Sequence, residues 1–202
     1  REDFRFCPKV PQQISHRARL QALDPTRRFA EAIRGLGMKL GPTFLQLPDY
    51  HKVSEANLIH HFIQDWPDDL PLTWEFRHPD WFSDPAAEPT FDFMEQRRHG
   101  TVITDVAGRR DVLHMELTTP VLVLRFVGNG GHPTDYSRTD DWIARIHSWI
   151  QQGLHEAYLF IHQPEMALVP EFTAYWANGL RKATGLDVLV PTPVAGTQQS
   201  LF

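Results

Sequence analysis

Val121-Leu122-Val123-Leu124-Arg125-Phe126-Val127 decides the fold. Its apolar side chains fall on both alternating faces, so a strand here is covered on both sides, as parallel strands are. Ala157-Tyr158-Leu159-Phe160-Ile161-His162 is nearly its equal. Shorter runs share the character: residues 42–47 (Pro-Thr-Phe-Leu-Gln-Leu), residues 71–76 (Pro-Leu-Thr-Trp-Glu-Phe), and Thr101-Val102-Ile103-Thr104-Asp105. A further run, Phe4-Arg5-Phe6-Cys7, alternates and stops at Pro8 and Pro11.

Helical patterns fill the gaps. Asp24-Pro25 reads as an N-cap followed by Pro at the first helical position, with Phe29, Ile33 and Leu36 on one face. Ser54-Glu55 opens a second helix carrying Leu58, Phe62 and Trp66. Residues 139–152 place Trp142, Ile146, Trp149 and Ile150 on one stripe, and Pro170-Glu171 begins a last helix ending near Gly185. The stretch 106–120 is too polar and broken for a long helix.

Strands alternating with helices give an α/β chain with a parallel sheet and right-handed crossovers. The competing architectures are an open doubly wound sheet and a (β/α) barrel. Six strand–helix units are visible, whereas a closed barrel takes eight units and about 250 residues. The expectation is therefore a TIM-like barrel lacking two units, the C-terminal part of an eight-unit barrel. Residues 1–190 form this domain, and residues 191–202 are a flexible tail.

Among 202 residues there are 25 Asp plus Glu against 20 Lys plus Arg, a formal charge of −5. A uniformly basic surface for coating nucleic acid is excluded, and a local basic groove is not. The single cysteine, Cys7, excludes a disulfide framework and a multi-cysteine zinc site. No apolar run reaches the roughly 18 residues of a membrane span, and no signal-peptide pattern opens the chain. The expected location is cytoplasmic, with no membrane partner.

In a parallel barrel chemistry lies at the carboxyl ends of the strands. The polar residues expected there are Lys9, Gln46, Glu75 with Arg77 and His78, Asp105, Arg125, and His162 with Gln163. Glu75, Asp105 and His162 are the candidate catalytic residues. A carboxylate in an apolar strand is costly unless paired, so Glu75 and Asp105 read as an acid/base couple, as two ligands of one metal, or as structural partners of Arg77, Arg125 or Lys9. His16, His78 and His132 fall in loops around the same rim. A site of Glu75, Asp105 and His162 has no metal-specific spacing, so no metal and no cofactor is assigned. Lys9, Gln46, Arg77, Arg125, Gly128, His132 and Arg138 are the candidate ligand-binding residues. Gly128, Gly130 and Gly131 let backbone N–H groups approach an anion, with Arg125, His132 and Arg138 supplying charge. An ordinary glycine turn is the alternative.

These segments together resemble the family known as domain of unknown function 72, the YecE-like family. The matching pieces are Phe4-Arg5-Phe6 with Lys9 and Pro11, Leu36-Gly37, Leu40-Gly41-Pro42, and Gln46-Leu47-Pro48. They continue with Glu75-Phe76-Arg77-His78-Pro79-Asp80-Trp81-Phe82, Thr104-Asp105, Arg125-Phe126-Val127-Gly128 and Asp135-Tyr136-Ser137-Arg138 followed by Trp142. The resemblance implies a TIM-like barrel and no settled reaction. It also implies a Gly-Thr-Ser-Gly-Trp-like first strand and a second with Val-Glu and Asn, neither of which is in this sequence.

Function remains open at this point between classes. An enzyme would bind a phosphorylated or carbohydrate-like small molecule at the strand ends and use carboxylate acid/base residues. A DNA-metabolism factor, acting on phosphodiester bonds, would be recruited through the tail. A non-enzymatic binding module would explain the lack of a catalytic motif. The tail Gln198-Gln199-Ser200-Leu201-Phe202 resembles the bacterial sliding-clamp-binding peptide, Gln-Leu-Ser/Asp-Leu-Phe. Gln198, Leu201 and Phe202 are its candidate partner-binding residues, and Gln199 stands where Leu is usual. Direct nucleic-acid binding is not decided by the sequence.

Overall fold

The computed structural model describes residues 4–191. Its strands are β1 (Thr43–Gln46), β2 (Leu72–Glu75), β3 (Gly100–Val106), β4 (Val121–Val127) and β5 (Glu156–His162). Between and after them lie α1 (Leu23–Arg34), α2 (Ala56–Asp65), α3 (Asp80–Ser83), α4 (Glu88–Gln96), α5 (Pro133–Gln151) and α6 (Val169–Thr184). The strands form one parallel sheet in the order β1-β2-β3-β4-β5, an α/β architecture of the TIM-like kind that is not closed. Thr43 pairs with Leu72 and Gln46 with Glu75, so the polar ends of β1 and β2 stand side by side.

Five strands stand where six were expected. The segment at Phe4–Cys7 contributes only one isolated parallel bridge, Phe6 to Leu40, and a second, Lys9 to Phe44, follows it. Phe6 N–H donates to the Lys39 carbonyl and the Phe6 carbonyl accepts from Gly41 N–H, but the next donor in register is Pro8, which has no N–H. The pairing resumes one residue out of step, with Phe44 N–H donating to Pro8 and Val10 N–H to Phe44. That shift is a bulge, and it keeps the ladder too short to count as a strand.

The other correction concerns β5. The alternating-face apolar pattern predicts burial, yet Phe160 is 39% exposed. β5 is an outer strand with one neighbour, and its side chains are half-buried or exposed along its whole length. Phe160 packs on Phe44 of β1, ring centroids 6.3 Å apart, which brings the two outer strands into contact.

The chain divides into two compact units, residues up to Arg125 with His155–Phe160, and Phe126–Leu154 with Ile161 onward. In the first, Trp74 on β2 is fully buried and meets Phe62 of α2 edge-on at 5.5 Å. Its indole N–H donates to His99 Nδ1 at 3.1 Å, so that buried ring serves as an acceptor. His114 is also buried, stacked 4.1 Å from Phe82. In the second unit Phe126 packs on Phe172 and Trp176 of α6, and Ile143 of α5 reaches Gly179 so closely that a Cβ there would meet it at 2.4 Å.

Helix starts differ in detail from the sequence reading. α1 begins at Leu23 with Ala22 in the cap position, not Asp24. α5 begins at Pro133, six residues before the expected 139, because His132 caps it and Pro133 has its φ set for a first turn.

Burial lowers the pKa of both His99 and His114 to about 4. A base whose folded pKa lies below its unfolded value of about 6.5 destabilises the fold as acid protonates the unfolded chain first. Unfolding free energy, measured by urea titration, is expected to fall from pH 6.5 to pH 4, by at most about 3 kcal/mol for each ring.

Candidate functional site

Each strand delivers a polar side chain at its carboxyl end: Gln46, Glu75, Asp105, Arg125 and His162. The tightest constellation is built around Glu75, which has no exposed surface. Its Oε1 accepts from Gln46 Nε2 at 2.8 Å and from Arg77 at 3.2 Å, and its Oε2 accepts from Arg125 at 2.5 Å. Gln46 Oε1 in turn accepts from Lys9 Nζ at 2.7 Å. Lys9, Gln46, Glu75, Arg77 and Arg125 are thus one bonded network drawn from four chain segments. Arg77 and Arg125 each keep 30% of their side-chain surface exposed, and Lys9 is exposed. Burial holds the Lys9 ammonium below its ordinary pKa, with Glu75 opposing and Arg125 and Arg77 reinforcing that shift.

The open reading of Glu75 resolves toward pairing with arginine. Three cations attend one carboxylate, so this network by itself carries two more positive charges than negative. Asp105, buried at the end of β3, accepts from Arg110 at 2.8 Å. Arg109 holds Asp111 with both fork nitrogens, at 2.9 and 3.1 Å, and also donates to the Arg77 carbonyl at 3.4 Å. Neither Arg109 nor Arg110 was singled out from sequence, since nothing in the broken 106–120 stretch marks which of its charges turn inward. Among the described residues no group of three or more His, Cys, Asp or Glu side chains could hold a metal ion.

His162, Gly128, His132 and Arg138 belong to the second unit. His162 is exposed, and its carbonyl accepts from Gly128 N–H at 2.9 Å. The glycine loop is not an open cradle, which corrects the expectation. The buried Asp135 carboxylate already fills it, accepting from Asn129 N–H at 2.9 and 2.8 Å and from Gly131 N–H at 3.1 Å. Arg138 donates to the same carboxylate at 2.9 Å, and His132 is spent capping α5 through Thr134 N–H at 3.2 Å. Burial pushes the Asp135 carboxyl up, but Asn129, Arg138 and Gln163 together outweigh it and hold its pKa below the ordinary value. The legible signal was Pro133: a helix starting there puts Asp135 in the first turn, where a carboxylate satisfies free N–H groups. Gly128 is glycine for a different reason, since a Cβ would sit 2.2 Å from the buried Gln163 amide, which accepts from Gly130 N–H. The tail candidates Gln198, Leu201 and Phe202 lie outside the described residues.

Two substitutions test these networks. Gly128→Ala is expected to lower unfolding free energy by about 1–3 kcal/mol by displacing Gln163 from its bonds. Glu75→Gln is expected to cost about 3–5 kcal/mol by stranding Arg77 and Arg125, and adding Arg125→Met recovers part of it in a double-mutant cycle.

The chain is 28% identical over 221 residues to the UPF0759 protein YecE of Escherichia coli strain K12, covering all of this chain and 80% of that protein. A crystal structure of a DUF72 family protein from Enterococcus faecalis V583 matches with a TM-score of 0.66 and 18% identity, over 92% of this chain and 80% of that one. A second, from Thermotoga maritima MSB8, matches with a TM-score of 0.57 and 19% identity, over 80% and 68%. At these identities the solved structures speak for the fold alone. The family model for the protein of unknown function DUF72 matches residues 1–195, which contain every strand of the sheet and the whole Glu75 network, and the chain belongs to that family.

Proposed function

We propose that the carboxyl end of the sheet binds a small anionic ligand, of phosphate-ester type, through Lys9, Arg77 and Arg125. The observation that carries this reading is the charge excess around Glu75: a fully buried carboxylate holds two arginines that each keep 30% of their side-chain surface exposed, and Lys9 joins the same network through Gln46. Guanidinium forks recognise oxyanions with two parallel bonds, and pre-positioning by Glu75 removes much of the ordering cost of binding. In this reading Glu75 positions the cations and does not itself exchange protons with the ligand, because both its oxygens are engaged and neither reaches solvent. Whether the bound molecule is then transformed or only held, the same cationic set recognises it.

Titration calorimetry with inorganic phosphate and a panel of phosphomonoesters tests the reading. Lys9→Met is the informative variant, since it removes one cation while leaving the Glu75–arginine pairs in place. It is expected to weaken binding by about tenfold with little change in melting temperature. Saturable binding that Lys9→Met leaves untouched, or no binding of any of these anions, would rule the proposal out.

A further inference from the structure

Four segments of the first unit enclose a cleft of about 560 Å³: α3, the turn Pro85–Ala87, the first half of α4, and residues 113–116. Clefts of this size hold small molecules. The walls are aromatic and already packed. The Phe82 ring stacks on His114 with centroids 4.1 Å apart and on Phe91 at 6.3 Å, so three rings lie nearly parallel. Phe76 meets Phe91 edge-on at 5.4 Å and Trp81 at 4.6 Å, which holds these walls in place before any ligand arrives.

The ring nitrogens of the walls are already spent. Trp81 indole N–H donates to the His51 carbonyl at 2.8 Å. His114 Nε2 donates to the Val102 carbonyl and its Nδ1 accepts from Glu116 N–H, both at 3.2 Å, which fixes one neutral tautomer. With its pKa lowered by burial to about 4, the ring adds no positive charge at neutral pH. The cleft therefore offers aromatic surface and a charge of one sign. Asp84, Glu88, Asp92 and Glu116 line it, and among the described residues no lysine or arginine does. All four acids are exposed, and among the described residues no ion pair reaches any of them. Asp84 uses one oxygen to cap the turn, accepting from Ala86 N–H at 2.9 Å. The helix dipole accounts for Glu88 in the first turn of α4, but not for Asp92 one turn later, where the two like charges repel.

The spread of these acids decides which cation fits. Among the described residues no group of three His, Cys, Asp or Glu side chains could hold a metal ion, so a single point charge cannot serve all four. A cation whose charges are distributed along an apolar chain can. Its methylene segments cover the Phe82 and Phe91 rings, and its ammonium groups meet the carboxylates in turn and gain at the aromatic faces. We propose that this cleft binds a linear aliphatic polyamine. The cleft shares no residue with the Lys9–Glu75 network, so the proposal does not depend on the anion site.

Spermine is the probe, titrated into the whole chain by calorimetry at low ionic strength, with Mg²⁺ and amidated trilysine, equal to spermine in charge, as comparisons. The methyl resonance of Met115, which lines the cleft, is followed by NMR beside that of Met38, which is exposed and does not line it. Saturable binding is expected to shift Met115 and leave Met38 unmoved. Asp92→Asn and Glu116→Gln are each expected to weaken spermine by about two- to fivefold, and together by about tenfold, with the melting temperature unchanged. Absence of saturable binding, undiminished binding by the double variant, or a Met115 shift no larger than that of Met38 overturns the proposal. So does displacement of spermine by equimolar Mg²⁺, which marks a diffuse charge effect, or trilysine binding as tightly as spermine, which marks a peptide surface.

Discussion

The Glu75 carboxylate is the constraint on which the sheet's functional end depends. Removing an ionised carboxylate from water costs several kcal/mol, and only close cationic and amide partners offset it. Those partners come from β1, from the turn after β2, and from β4, while Lys9 joins from the chain before α1. Register supplies the first of them, since Gln46 and Glu75 are paired neighbours in the parallel ladder. One buried charge thereby decides where four polar side chains point, and it does so with the strands themselves as a rigid base.

A second buried carboxylate, Asp135, is satisfied by different means. Asp135 takes backbone N–H groups from Asn129 and Gly131, the Gln163 amide and a single arginine. Its charge is met by the loop that surrounds it, so the loop is complete in itself. Glu75 takes no backbone N–H among its side-chain bonds and relies on two guanidinium groups that it cannot neutralise. The surplus charge is left on the rim, where a ligand can reach it. An anchoring acid with too many cations leaves its charge unbalanced, and the proposed oxyanion would balance it.

Parallel strands were legible in the sequence because burial on both faces leaves a local mark, the doubly apolar runs at 121–127, 71–76 and 101–105. From those runs the α/β class and the residues at the carboxyl ends, including Gln46, Glu75 and Arg125, followed without any knowledge of contacts. Family membership was legible in the same way, in the block from Glu75 to Phe82. The sequence alone also carried Pro133, a helix-start signal that would have assigned Asp135 to a first turn.

Only the tertiary structure decided the rest, because each remaining point turns on what a residue meets far away in the chain. Phe4–Cys7 has strand composition, yet Pro8 breaks its ladder at the position where Gly41 and Pro42 pass. β5 has a core-like pattern but no neighbour on one side. The glycine loop has the composition of an anion cradle, and the chain fills it with its own Asp135. Glu75 could have been an acid, a metal ligand or an anchor, and arginines 2 and 50 residues away made it an anchor. Local patterns record how a segment is covered; which charge stands opposite which is set by register and long-range packing, and no single stretch of sequence contains it.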